Sequence, residues 1–296
     1  SSFTKRIGDE HGADNKTAEK CRNMFALGII FYATHKTLKQ TEAYLERKFA
    51  NKPDIIKLNE AVLHAGYEFA DKFEMIRSHI IEVSHADMEK GRYRNITGNV
   101  ATAWGLLAAA ERAGLKLFLG SYPITPATEV MIELAKHKAL GARVFQAEDE
   151  IAGICSAIGA SYAGALACTS TSGPGLSLKS EALGLAVMTE LPLVVVDVQR
   201  GGPSTGLPTK TEQSDLAQAL FGRNGEAPCI VVAASSSADC FYWAYMAAKL
   251  ALEHMTPTIL LTDGYLGNGS QLFRIPKVAD LPEIKPRFAK ENDPNY

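Results

Sequence analysis

The run LPLVVVDV, residues 191–198, limits this chain more than any other feature. An apolar stretch so short and unbroken fits a strand buried on both faces, and such strands belong to parallel sheets covered by helices. The surrounding sequence repeats the theme. LKLFLGS, ARVFQA, ALACTST, PCIVVAA and TPTILLT read as further strands, and between them lie the helical segments PATEVMIELAKH, EDEIAGICSAIGASYAG, LSLKSEALGLAVM and DCFYWAYMAAKLALEH. A small-residue helix, TGNVATAWGLLAAAERAG, precedes the first strand, with Thr97 or Asn99 as its cap. The alternation predicts an α/β fold, a parallel six-stranded sheet with helices on both faces. Pro126 is expected in the first turn of the PATEV helix, where its missing N–H costs nothing. SGPG is expected to be a turn, and TDGYLGNG (262–269) a strand end and turn.

The front of the chain has a different texture. EKCRNMFALGIIFYATH, KQTEAYLERKFA and DIIKLNEAVLHAGYEFADKF carry apolar residues at helical spacing, separated by polar breaks such as NKPD. The expected organisation is a small all-helical region ending in a linker, GRYRNITGN (91–99), over 1–95; an α/β domain over 96–275; and a polar segment over 276–296 leading toward a further domain. The chain starts without methionine and ends in the polar IKPRFAKENDPNY, the marks of a piece of a longer polypeptide.

Composition excludes several classes. With 46% hydrophobic and 22% charged residues the chain is an ordinary globular one, and its net charge of −2 argues against a nucleic-acid footprint. The longest apolar runs, MFALGIIFYA and LPLVVV, fall short of the ~20 residues that span a bilayer, and the polar amino end carries no visible signal peptide. The five cysteines form no C-x-x-C pair, so no zinc site or iron–sulfur cluster is expected here, and their scattered apolar settings suit a reducing cytoplasm. The seven histidines show no metal spacing either.

In parallel sheets ligands bind beyond the carboxyl ends of the strands. Four unusual loops begin there: YPITP (122–126), QAEDE (146–150), TSGPG (171–175) and VQRGGPSTGLPTK (198–210). Glu148, Asp149 and Glu150 open a helix, where acidic side chains cap the start and complement the dipole by ~0.3–1 kcal/mol. The helix that follows is small and apolar, with Gly153, Ala157, Gly159, Ala160 and Gly164, so it must be tightly packed. A carboxyl at its head is partly desolvated and can share a proton with a ligand nitrogen. TSGPG is either a tight turn or a place where backbone approaches a ligand closely. It is neither a dinucleotide fingerprint nor a Walker A, and Ser172 is not in a nucleophile elbow. Arg200 leaves the strand end either to grip a carboxylate bidentately or to pair with a local acid such as Asp197. Thr209 and Lys210 add a hydroxyl and a second cation. FYWAYM (241–246) reads as helix core or a subunit contact.

Taken together, GSYPITPATE, FQAEDEIAG, TSTSGPGLSLKSEALGLAVMTELPLVVVDVQRGGPSTGLPTKTEQSD and FGRNGEAP closely resemble the alpha subunit of 2-oxoacid:ferredoxin oxidoreductases, nearest the 2-oxoglutarate type. The likeness runs from about 96 to 275, and residues 20–85 resemble the tail of a gamma-type domain that some of these proteins carry ahead of the alpha part. The resemblance implies the pyrimidine-binding type of thiamine-diphosphate fold. The alpha part then binds the aminopyrimidine ring, while a separate beta subunit holds the diphosphate, its Mg2+ and a 4Fe–4S cluster. It implies an enzyme that decarboxylates a 2-oxoacid, passes electrons singly to ferredoxin and makes an acyl-CoA. It also implies a dimer of alpha–beta units in the cytoplasm, with the isolated chain inactive.

Roles carry over residue by residue. Glu150, with Glu148 as the alternative, matches the glutamate on the aminopyrimidine; Pro123, Ile124, Gly173 and Pro174 match its surround. Thr125 matches the threonine that bonds the substrate's oxo or carboxylate oxygens, held rigid by Pro123 and Pro126. Arg200 matches the arginine facing the substrate carboxylate, and Thr209, with Lys210 beside it, lies near the substrate's side chain. The chain has no Asp-Gly…Asn diphosphate motif and no cluster cysteines, which agrees with half an active site. A scaffold subunit that has lost its chemistry, and a non-redox thiamine enzyme, are the competing readings.

Overall fold

Helical spacing in the front of the chain produces α1 (Ser2–Glu10), α2 (Asn15–Lys20), α3 (Arg22–Ala33), α4 (Lys39–Lys48), α5 (Pro53–Lys72) and the single turn α6 (Glu74–Arg77). The computed structural model describes residues 2–286, 288, 289 and 292. It forms two units that divide between Glu89 and Lys90, and these helices make the first. The polar breaks are also starts: Asp14 caps α2 by accepting from Thr17 N at 2.8 Å, and Pro53 opens α5. α3 and α5 approach so closely that a Cβ on Gly28 would strike the Leu63 carbonyl, and one on Gly66 the Phe25 carbonyl. Ile7, Cys21, Leu58 and Val62 are buried in this unit. The rings of Phe3, Phe25 and Phe69 cluster with centroids 5.5, 5.3 and 5.6 Å apart.

The second unit begins with β1 (Tyr93–Thr97) and α7 (Gly98–Ala113) and continues through β2 (Leu117–Ser121), α8 (Thr128–Ala135), β3 (Arg143–Gln146), α9 (Glu150–Tyr162) and β4 (Leu166–Thr171). Then come α10 (Gly173–Leu178), α11 (Ser180–Met188), β5 (Leu193–Gln199), α12 (Leu216–Phe221), β6 (Ile230–Ala233), α13 (Asp239–His254) and β7 (Pro257–Asp263). α14 (Gly264–Asn268) and β8 (Ser270–Arg274) complete the set. Six strands form one parallel sheet in the order β3-β2-β4-β5-β7-β6, as the alternation predicted. Every residue of β5 is buried, and its side chains alternate between two cores. Val194, Val196 and Val198 pack with Leu106 of α7, Leu134 of α8 and Tyr245 of α13 on one face. Leu193 and Val195 pack with Ile154 of α9, Leu176 of α10, Leu183 of α11 and Ala219 of α12 on the other. Among the described residues no helix is long and apolar enough to cross a membrane.

Several local expectations change. Residues 91–99, expected to be a linker, contain β1, which pairs antiparallel with β8 from Tyr93–Arg274 to Thr97–Ser270. Thr97 caps α7 by accepting from Val100 N at 3.5 Å, whereas Asn99 is buried inside the first turn. Pro126 stands before its helix, because α8 opens only at Thr128. SGPG is the start of α10, with Pro174 in its first turn, and LSLKSEALGLAVM is broken at Lys179 into two helices. TDGYLGNG is a strand end followed by the short helix α14, capped by Asp263. Part of the expected tail segment packs on α13: Tyr245 donates to the Pro282 carbonyl, Lys249 to that of Glu283 at 2.8 Å, and Ile284 is buried. The rest of that expectation, at residues 287, 290, 291 and 293–296, lies outside the described residues.

Candidate active site

β2 leads out to the edge strand β3, and the next connection returns past β2 to β4. The winding therefore reverses at the β2–β4 boundary, and ligands of such sheets bind in the crevice beyond that point. YPITP leaves β2 there, QAEDE leaves β3, TSGPG leaves β4 and the 200–215 loop leaves β5.

Asp149 caps α9 by accepting from Ala152 N at 2.7 Å. Glu150, the first helical residue, is half-buried, while Glu148 is exposed. The Glu150 side chain runs against the start of α10: a Cβ on Gly175 would come within 2.9 Å of Glu150 Cγ and would collide with Thr171 Oγ1. The second glycine of TSGPG thus leaves room for the glutamate. At the α10–α11 break Lys179 is fully buried, and its Nζ donates to the Glu150 carbonyl at 2.6 Å. Burial holds the Lys179 ammonium down to about 8, against the upward pull of the Glu150 and Asp149 carboxylates.

YPITP is anchored from two sides. Asn99 Nδ2 donates to the Pro126 carbonyl at 2.8 Å, and Thr128 N returns to the Ile124 carbonyl at 2.9 Å. Arg200, only 6% exposed, donates from Nη1 to the Thr125 carbonyl at 2.6 Å and from Nη2 to the Thr205 carbonyl at 2.5 Å. The guanidinium fork therefore ties two site loops together and does not pair with Asp197. Its Nε is buried with no partner among the described residues. The Thr125 side chain is exposed, and Pro123 and Ile124 are half-buried. Thr209 and Lys210 stand exposed on the outer part of the loop, where Lys210 contributes its carbonyl to Gly201 N at 2.8 Å. The structure thus joins Arg200 to Thr125 and places Glu150 beside Gly175, but leaves Thr209 and Lys210 outside both groupings.

A cleft of about 620 Å³ opens between α10 and this loop, lined by Gly173, Pro174, Arg200, Thr205, Glu212 and Asp215 among others. Beneath it lies an acidic pair that the motifs did not signal. Asp197 is fully buried on β5 opposite Thr171, and Asp215 is nearly so at the start of α12. Burial, and then the charge and hydrogen bond of Asp215, push the Asp197 carboxyl well above the usual carboxylate range. Burial raises Asp215 too, and its hydrogen bond from Asp197 opposes the rise. Gly173 abuts Asp215, since a Cβ there would lie 2.7 Å from Asp215 Oδ2. Gln199 fastens the same corner, accepting from Asp215 N at 2.9 Å and donating to the Thr262 carbonyl at 3.0 Å. A charged residue inside an apolar strand or helix was the only sequence signal for Asp197 and Lys179.

Among the described residues no group of three or more His, Cys, Asp and Glu could hold a metal ion. Asp263, the acid of the Asp-Gly pair, is spent on capping: its Oδ1 accepts from Tyr265 N at 2.7 Å and Leu266 N at 2.9 Å.

The fold and these loops define a doubly wound α/β ligand-binding domain with one carboxyl-headed helix at its site edge. The chain belongs to the family of pyruvate flavodoxin/ferredoxin oxidoreductases, thiamine-diphosphate-binding, which it matches over residues 108–296. It is 54% identical over 283 residues to the 2-oxoglutarate oxidoreductase subunit KorA of Mycobacterium tuberculosis, covering 96% of this chain and 43% of that protein. It is 42% identical over 193 residues to the 2-oxoglutarate synthase subunit KorA of Archaeoglobus fulgidus, covering 65% of this chain and 54% of the other. A solved structure of 2-oxoglutarate:ferredoxin oxidoreductase from Magnetococcus marinus, with 2-oxoglutarate, coenzyme A and succinyl-CoA bound, superposes with a TM-score of 0.82 at 35% identity. That match covers 98% of this chain and 49% of the other. The chain thus spans about half the length of the relatives it matches.

A half-buried carboxyl beside a glycine cradle suits a flat ring bearing nitrogens, such as that of thiamine diphosphate.

Proposed function

We propose that this chain supplies the aminopyrimidine half of a thiamine-diphosphate site in the alpha subunit of a 2-oxoacid:ferredoxin oxidoreductase. The substrate is 2-oxoglutarate or a close 2-oxoacid, coenzyme A accepts the acyl group and ferredoxin the electrons. The observation that carries the reading is the Glu150 carboxyl at the head of α9, in the space left by Gly175 at the switch point of the sheet. When bound, the cofactor supplies the carbon nucleophile and the electron sink for decarboxylation.

This chain's residues do the holding. Glu150 holds a proton against a ring nitrogen, and its half-buried place supports it over exposed Glu148. Pro123, Ile124, Gly173 and Pro174 surround the ring. Thr125 turns its exposed side chain to the substrate's oxo or carboxylate oxygens. Arg200 keeps Thr125 in place through its carbonyl and brings positive charge to the substrate carboxylate. Thr209 and Lys210 meet the substrate's side chain from the outer loop. A beta subunit provides the diphosphate and Mg2+ site and the 4Fe–4S cluster, in a dimer of alpha–beta units. Exposed Ile151, Leu178, Met188, Leu216 and Phe221 on α9 to α12 support a subunit seated over this face. In this reading residues 96–275 are the pyrimidine-binding domain, 1–95 a gamma-type tail with its connection, and 276–296 a lead into a further domain.

Glu150→Gln in the reconstituted complex tests the proposal. Turnover with 2-oxoglutarate and coenzyme A should fall by about 100-fold or more while the subunits still co-purify. Undiminished turnover would mean that the site is inherited shape on a scaffold.

A further inference from the structure

Lys179 has no exposed surface, yet a methionine or leucine would fill its place without desolvating a charge. Its Nζ bonds the carbonyl of Glu150 at 2.6 Å. Carbonyls in the first turn of a helix already accept from the amide four residues on, so this bond rescues no orphan. A cation at a helix N-terminus also opposes the helix dipole. Neither capping nor core filling accounts for the lysine. What the contact does is fasten the first residue of α9, at the break that separates α10 from α11.

We infer that Lys179 is a positioning residue whose ammonium pins the start of α9 and fixes the direction in which the Glu150 side chain leaves the helix. The inference rests on the proposed role of Glu150. Gly175 clears the space for that side chain and Lys179 holds its backbone, both from the segment that follows β4. The elements packed against α10 and α11 carry these titratable groups: the α9 cap Asp149, with Glu150, Cys155 and Tyr162 on α9, Cys168 on β4, Asp197 on β5 and Asp263 on β7; Glu181 stands on α11 itself. Of these, Glu150, Asp149 and Cys155 act electrostatically on Lys179, which loses its charge near pH 8.

The test uses K179M and K179Q in the full-length chain with its partner subunit, with E150Q alongside. Hydrogen exchange is measured at the first turn of α9, and kcat and KM are followed from pH 6 to 10. K179M should raise exchange of amides 152–154 by about 10-fold, leaving β5 unchanged. It should lower kcat by about 10-fold with KM within about 2-fold, and it should lose an alkaline fall near pH 8 that the natural protein shows. K179Q, which keeps a donor without the charge, should recover the exchange protection. Natural exchange in K179M, or natural kcat with an unaltered pH profile, overturns the inference, as does failure of both variants to fold. Full activity in E150Q removes the underlying reading, whereas a crippled E150Q beside an unaffected K179M removes this inference alone.

Discussion

Asp197 gives the site a pH signature that can be read in stability. Its folded carboxyl titrates well above 3.8, because burial and Asp215 disfavour its charge. Between those limits the folded state keeps a proton that the unfolded state has released, so stability falls as pH rises. Asp197→Asn keeps the size and polarity of the side chain and removes the titration. The natural protein should therefore lose up to about 1.4 kcal/mol per pH unit relative to the variant on going from pH 4 to pH 7 in denaturant unfolding. Parallel curves would mean that Asp197 is ionised in the fold. Single residues also mark the limit of what the sequence discloses. The places of Glu150, Thr125 and Arg200 just beyond strand ends were legible because each follows a short apolar run. Lys179 was not, because LSLKSEALGL reads as one helix, and neither the break at 179 nor the Glu150 carbonyl that receives the ammonium is marked in the local pattern. Asp197 was the foreseen local partner of Arg200, and tertiary structure brought it two carbonyls in place of that acid.

Elements were legible where the signal was local. Each predicted strand of the parallel sheet formed, since each is a short apolar run with turn residues at its end. β1 escaped because only Ile96 of its five residues is buried, and its partner β8 lies at the other end of the unit. SGPG read as a turn because glycine and proline mark both turns and helix starts, and the proline position fits the second. The α3–α5 contact is a property of two helices and carries its own expectation. Gly28→Ala or Gly66→Ala drives a methyl into the opposing backbone, which should cost about 1–3 kcal/mol and lower the melting temperature. An unchanged melting curve would show that the helices part at no cost.

Over the whole molecule, the alternation of strand and helix announced a parallel sheet but not the order of its strands. Nothing local states that β7 inserts between β5 and β6; the full burial of β7 against the half-buried β6 records it only after folding. The two units are equally a long-range fact. Residues 82–88, at the end of the first unit, are exposed and form no backbone hydrogen bonds among the described residues. Brief digestion with a glutamate-specific protease should cut after Glu82 ahead of sites inside either unit, giving two resistant fragments. First cuts elsewhere would refute this. The β1–β8 ribbon has a mechanical meaning as well. Its outermost rung joins Tyr93 to Arg274, the places where the chain enters and leaves this unit's strands, and its innermost joins Thr97 to Ser270. Tension drawn through both points loads the rungs one at a time, as a zip is opened, while the six parallel strands behind carry none of it until the last rung parts.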